Sequence, residues 1–390
     1  MQEQPRRVAV VGIGAITSLG HSADELWESL TTTVDMGPLR VAPFTTDHLV
    51  NPKELRRLDP FALFALAAAD EAWRQSGLSV GLVDGGSIFA TGMGGLQSLL
   101  RQYDVLKEKG PSRISPFMVP MMMPNAGGAA VSMRFGLGGP CETITTACAA
   151  GTHAISYAAR LVASGRCPVA VTGGSEAVME EVALSAFANM TALSVSGQSR
   201  PFDAHRDGFV MGEGAGALVL EDWDRAVARG ATILAEVVGS ASTADAHHIT
   251  APDPSGQGAS RSMRMALHEA GLNASDIQHI NAHGTSTPLN DLAESLAVRE
   301  VFGTHRPLVS SNKGHLGHCL GAAGALEAVV SVMSLRHQMV PATAGTSEVD
   351  VAINLDVVTN STQTASLEHV MSNSFGFGGH NGTIIFRRAD

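Results

Sequence analysis

Thr143-Ile144-Thr145-Thr146-Ala147-Cys148-Ala149-Ala150-Gly151 joins a β-branched run to an alanine-rich one. The first four residues have the branching that suits a strand, and the alanine-rich stretch continuing to about Ser164 predicts a helix. Cys148 therefore falls on a strand-to-helix turn, with small neighbours on both sides that leave its thiol open to a substrate. A helix N-terminus there favours thiolate through its partial positive charge. Read from these residues alone, Cys148 is either a nucleophile for a thioester or ester or an inert core cysteine. Cys141, Cys167 and Cys319 lack this setting and read as structural.

Working outward, the same grammar recurs along the chain. Val8 to Gly14 is a nearly continuous apolar run, as in a strand buried on both faces. Its Gly12-Ile13-Gly14 invites a dinucleotide reading, but the third glycine of that fingerprint is absent. Ser22 with Glu25 three residues on reads as a capping box opening a helix to Leu30. A helix is expected over Pro60 to Gln75, a short strand and glycine turn over Val80 to Gly95, and a buried strand at Val169 to Thr172. After an Arg225-to-Arg229 helix and an Ile233-to-Val238 strand comes a second series. It comprises a helix near Ser260 to Glu269, a strand at Ile277 to Asn281, and helices at Asn290 to Val301 and Gly321 to Leu335. Two series of similar order imply a layered α/β fold with an internal duplication, halves 1–230 and 231–390, held as one rigid body. Pro116 to Met133 is rich in methionine, which suits either core gap filling or a pliable pocket wall or subunit contact.

Of the 390 residues, 44% are apolar and 16% charged, a globular composition. The net charge of -11 argues against general nucleic-acid binding, which needs a basic surface. No cysteine pair has CxxC spacing and no leader precedes the first strand, so a reducing cytoplasm is expected. No run approaches the ~20 apolar residues that span a bilayer.

His283 stands just past the Ile277-to-Asn281 strand, where α/β enzymes place chemistry, with Thr285 and Thr287 available to a polar substrate arm. His318 precedes an alanine- and glycine-rich helix, and Lys313 is followed fourteen residues later by Glu327, a possible ion-pair partner. A zinc site is disfavoured, because His315 and His318 are three apart but further ligands would have to converge from distant segments. His247 and His248 read as surface or loop anchors. A Cys-His-Asn hydrolase remains open, yet two histidines and a lysine better suit a reaction that builds negative charge on a carbonyl oxygen or enolate.

Taken together, these segments resemble the β-ketoacyl-acyl-carrier-protein synthases, elongating condensing enzymes of the thiolase superfamily, across essentially the whole chain. The resemblance rests on Arg7 to Gly14, Lys53 to Arg57, Ile114 to Pro120, Thr145 to Gly151, Gly173 to Glu176 and Pro201 to Glu213. It continues through Asn281 to Pro288, Lys313 to Gly324 and Asn373 to Gly379. It implies a five-layer αβαβα fold from two duplicated halves, the second carrying the histidines, the lysine and a gate loop. Cys148 would be the acyl-accepting nucleophile, His283 and His318 the malonyl-side histidines, and Lys313 the active-site lysine paired with Glu327. Phe377 would be the gate, its backbone N–H forming an oxyanion hole with that of Cys148. Thr285 and Thr287 would touch the phosphopantetheine arm, and Lys53, Arg56 and Arg57 would dock an acidic acyl carrier protein. No tightly bound cofactor and no metal is implied. The family architecture implies a homodimer, or a heterodimer with a cysteine-less chain-length-factor-like homologue, without nucleic acid or membrane.

Four departures bear on detail. The chain is short for the family, with the shortfall between Thr31 and Lys53. His315 is extra in the lysine segment, His380 replaces a more common threonine, and Met121 to Met123 stand near the expected acyl pocket. They leave the reaction class intact and make a specialised polyketide or polyene role about as well supported as primary fatty-acid elongation. A thiolase would need a second cysteine near the C-terminus, and none follows Cys319.

Overall fold

The computed structural model describes residues 6–389, so residues 1–5 and 390 of the two expected halves lie outside the described residues. The first series of elements is β1 (Val8–Thr17), α1 (Ala23–Thr32), α2 (Pro52–Leu55), α3 (Pro60–Ser76), β2 (Gly86–Ala90), α4 (Leu96–Lys109) and α5 (Met118–Met122). It continues with α6 (Ala126–Phe135), β3 (Cys141–Ile144), α7 (Ala150–Ala163), β4 (Val169–Glu176), α8 (Glu181–Asn189), β5 (Gly214–Asp222) and α9 (Trp223–Ala228). The second series opens with β6 (Ala235–Ala244), α10 (Gln257–Ala270), β7 (His279–Asn281), α11 (Pro288–Phe302), β8 (Leu308–Ser310), α12 (Lys313–Leu316) and α13 (Ala323–His337). It closes with β9 (Met339–Val340), β10 (Asp356–Val357), β11 (Gln363–Thr364), β12 (His369–Gly376) and β13 (His380–Arg388).

Strand pairing makes the duplication explicit. In the first half β1, β5 and β4 run antiparallel in turn, and then β4, β2 and β3 are parallel. In the second half β6, β13 and β12 alternate antiparallel, and β12, β7 and β8 are parallel. The two halves meet where Val8–Val10 of β1 pairs antiparallel with Ala235–Val237 of β6. Helices repeat likewise: α3 and α10, α6 and α11, and α7 and α13 occupy matching places between matching strands.

Helices α7 and α13 pack on each other and between the two half-sheets, α13 touching both β5 and β12. Helices α3 and α6 cover the outer face of one half, and α10 and α11 that of the other. This is the five-layer αβαβα arrangement, built from small residues where layers press closest. The Gly-x-Gly of β1 serves that packing rather than a nucleotide. A Cβ on Gly12 would lie 2.0 Å from the Ala72 carbonyl oxygen, and one on Gly14 2.1 Å from that of Ala68. The alanine face of α3 rests directly on the strand.

Several expectations need correction. Ser22 caps α1 by accepting from the Glu25 N–H, but the Glu25 carboxylate turns to the His21 N–H, so only half of the capping box forms. In the Pro116-to-Met133 stretch no methionine is fully buried: Met133 is 77% exposed and Met123 43%, while Met118, Met121 and Met122 are half-buried. Cys141 lies exposed on β3, at the edge of the large sheet, whereas Cys167 and Cys319 are buried as expected. No helix of the described residues is long and apolar enough to cross a membrane.

Candidate active site

Strand β3 leads into a tight turn in which Ala147 has φ +50°, and Cys148 follows on a 3-10 turn that enters α7. A non-glycine residue in the left-handed region is held there by its surroundings. The turn puts Cys148 on the wall of a cavity of about 530 Å³. His283, His318, Thr285, Thr287 and Phe377 line the same cavity, with Phe187, Phe209 and Leu320 among its apolar residues. Residues some 230 positions apart in the chain thus converge because the segments that follow β3, β7 and β8 and the end of β12 open onto one cavity.

The expected thiolate is not the resting form. Burial pushes the Cys148 thiol up to about 12. The Lys313 charge and a hydrogen bond from the Phe377 backbone N–H pull it down, and the Glu176 and Glu327 charges push it further up. Desolvation outweighs the Lys313 charge and the Phe377 N–H, so the neutral thiol is the favoured form.

His283 and His318 sit nearly perpendicular, ring centroids 5.4 Å apart. Burial, with Lys313 nearby, holds both well below the usual histidine range, so both are neutral. Their partners assign the tautomers. His318 Nδ1 accepts from the Leu320 N–H at 3.2 Å, and His283 Nδ1 lies 3.3 Å from Lys313 Nζ, which has only protons to offer. Each imidazole therefore carries its proton on Nε2.

Lys313, at the start of α12, donates to the His283 carbonyl at 2.6 Å and forms a buried ion pair with Glu327 on α13. Glu327 also accepts from Ser374 Oγ at 3.3 Å. Glu294 on α11, not singled out from the sequence, accepts the backbone N–H groups of His283 at 2.9 Å and Gly284 at 2.8 Å. The available signal was an acid beside alanines on α11's buried face, a setting Asp291 shares. Thr285 and Thr287 hydroxyls bond each other at 2.9 Å, and Thr287 caps α11.

The other sequence candidates lie away from the cavity. Lys53, Arg56 and Arg57 are exposed on and just after α2, the Arg57 guanidinium 4.1 Å from the Phe117 ring centroid. His315 is buried and donates from Nε2 to the Thr33 carbonyl at 2.9 Å, tying α12 to the end of α1. His380 packs edge-on to His153. His248 anchors its loop, Nδ1 accepting from the N–H groups of Thr250 and Ala251 at 3.1 Å each. Among the described residues no group of His, Cys, Asp and Glu is placed to hold a metal ion.

The chain matches known proteins over nearly its whole length. Residues 42–226 match the beta-ketoacyl synthase N-terminal domain and residues 234–347 the C-terminal domain. The chain is 40% identical to the 3-oxoacyl-[acyl-carrier-protein] synthase 2 of Synechocystis sp., covering 99% of both chains. Among solved structures, the ishigamide ketosynthase/chain length factor superposes with a TM-score of 0.91 at 31% identity, covering 99% of this chain and 100% of that one. A chain of the AntDE:AntF complex, a type II PKS acyl-carrier protein in complex with its ketosynthase, gives 0.89 at 28% identity with the same coverage. The chain belongs to the beta-ketoacyl synthase family.

Proposed function

We propose that this chain catalyses decarboxylative condensation of an acyl group on Cys148 with a malonyl group on acyl carrier protein, giving a 3-ketoacyl-carrier product. The observation that carries the reading is a pair of neutral histidines presenting Nε2–H beside a buried cysteine in one cavity. Acyl transfer begins with attack of the Cys148 sulfur on the acyl-carrier thioester. The oxyanion collects the backbone N–H groups of Cys148 and Phe377, and the carrier departs as its thiol with the proton Cys148 gives up.

Malonyl-carrier then enters. As its C–CO₂ bond breaks, the electron pair moves toward the thioester carbonyl oxygen, where the Nε2–H groups of His283 and His318 donate. The resulting carbanion attacks the acyl-Cys148 carbonyl, and the Cys148 sulfur leaves. Lys313 and Glu327 hold His283 from behind. Thr285 and Thr287, at the cavity wall, suit the phosphopantetheine arm, and the exposed Lys53, Arg56 and Arg57 suit an acidic carrier.

Its relatives are named as 3-oxoacyl-[acyl-carrier-protein] synthases and type II PKS ketosynthases, and the reading covers both fatty-acid and polyketide elongation. The exposed edge strand β3 and the exposed methionines support a dimer, with a second copy or a cysteine-less chain-length-factor-like partner. Free cysteines suit a cytoplasmic setting. The test separates the half-reactions. His283→Ala and His318→Ala should lose malonyl decarboxylation far more than acyl transfer to Cys148. Equal loss in both halves contradicts their assigned role.

A further inference from the structure

Glu176 ends strand β4, is fully buried, and has no part in the chemistry above. Its Oε1 accepts from the Thr91 hydroxyl at 3.0 Å and the Met93 N–H at 3.2 Å. Its Oε2 accepts from the Gly92 N–H at 2.7 Å and the Gly321 N–H at 2.9 Å. Two donors on each oxygen suit a carboxylate, whereas an amide would turn its own N–H groups against two of them. Gly92 and Gly321 are required for the approach, since a Cβ on either would stand 2.6 and 2.8 Å, respectively, from Oε2.

The internal repeat identifies what this carboxylate occupies. Strand β12 matches β4 in length and partners, so Gly376 is the counterpart of Glu176. The turns into α7 and α13 also match, each opening on a non-glycine residue with positive φ, Ala147 at +50° and Leu320 at +47°. Cys148 and Gly321 are therefore counterparts. A Cβ on Gly376 would lie 3.0 Å from the Cys148 N and 3.1 Å from the Ala149 N. The second half leaves the Cys148 N–H facing a bare glycine, while the Ala149 N–H donates to the Thr146 carbonyl at 3.2 Å; the first half fills the equivalent place at the start of α13 with its own carboxylate.

From Gly321 the contacts run to a site histidine. Its neighbour Leu320 is held in the left-handed region, and the Leu320 N–H donates to His318 Nδ1, which keeps the His318 proton on Nε2.

We propose that Glu176 is a positioning residue, a built-in carboxylate that fills the duplicate of the oxyanion pocket and, through Gly321 and Leu320, holds His318 with Nε2–H toward the cavity. The inference rests on the condensing-enzyme reading for its kinetic consequence. Gly92 and Met93 line the cavity, so a small anion can reach the pocket if the side chain is removed. The Glu176 charge is also one of the influences that raise the Cys148 pKa, after burial.

The experiment compares Glu176→Ala, Glu176→Gln and the native chain, with and without sodium formate. In Glu176→Ala, malonyl-carrier decarboxylation should fall roughly ten- to a hundredfold, the scale of a displaced catalytic group. Formate should restore much of it and raise the Tm of that variant while leaving the native chain unchanged. Glu176→Gln should show the loss without the rescue, and iodoacetamide should alkylate its Cys148 at lower pH, because a negative charge is gone. Native decarboxylation rates in the variants overturn the proposal. So does a loss in Glu176→Ala that formate leaves in place, or failure of both variants to fold even in formate. If the native chain neither loads acyl groups nor decarboxylates, the condensing reading fails instead, and the formate-dependent Tm of Glu176→Ala still decides whether the pocket takes an anion.

Discussion

Replacing Lys313 with Met isolates the energetics of the buried pair behind His283. Lys313 and Glu327 side chains are each 3% exposed. Removing the cation leaves a carboxylate buried without its partner, which costs about 3–5 kcal/mol. With ~2.1 cal/mol/K of unfolding entropy per residue, 390 residues give about 0.8 kcal/mol/K. The drop in Tm is then about 4–6 °C. The pH dependence has a definite sign. Burial already raises the Glu327 pKa while Lys313 lowers it, so the variant raises it further. A carboxyl whose folded pKa exceeds its unfolded value, ~4.3, contributes its full stability below that value and loses it as pH rises through the folded pKa. The Tm deficit of Lys313→Met should therefore be small near pH 5 and full near pH 8. Lys313→Met/Glu327→Gln, which has no buried charge at either position, should recover most of it. Differential scanning calorimetry of the three proteins at both pH values is the assay. A single variant as stable as the native chain at pH 8, or a double variant no more stable than the single, refutes the reasoning.

Further outcomes follow from the same geometry. With its thiol pushed up to about 12, Cys148 should be alkylated by iodoacetamide at a rate that climbs with pH through pH 9, and a plateau near neutrality contradicts a buried neutral thiol. His315→Ala should remove the bond to the Thr33 carbonyl and cost about 0.5–1.5 kcal/mol for that bond in denaturant titration, with condensation rate unchanged. A rate loss matching that of His318→Ala would place His315 in the chemistry. Cys141 should react quickly with maleimide where the β3 edge is free and slowly in the assembled dimer, so equal labelling in both states removes β3 from the interface.

What was legible in the sequence was local chemistry. Small residues around Cys148 announced the turn, and His283 past a buried strand announced the loop. The element order announced the duplication, although its proof lies in strand directions that pairing alone reveals. The Gly-x-Gly of β1 misdirects because its cause, the carbonyls of Ala68 and Ala72, comes from a helix more than fifty residues away. The burial of the thiol was hidden for a related reason: a helix N-terminus is a local feature, whereas desolvation depends on every layer that closes over Cys148. Glu176 holds loops brought together only by the stacked halves, so no spacing in the chain marks it, whereas Glu294 holds a turn of its own half just upstream of α11. The methionine stretch shows the converse, an apolar composition that one chain leaves exposed.

The measurement that bears most directly on the central claim is intact-protein mass spectrometry of the native chain and Cys148→Ala after incubation with acyl-carrier protein, followed by malonyl-carrier protein. The native chain should gain one acyl mass, hold it, and lose it on malonyl-carrier addition as a 3-ketoacyl-carrier product appears, while Cys148→Ala gains nothing. An acyl adduct on Cys148→Ala, or rapid release of free acid from the native chain before malonyl-carrier is added, contradicts a condensing enzyme built on Cys148.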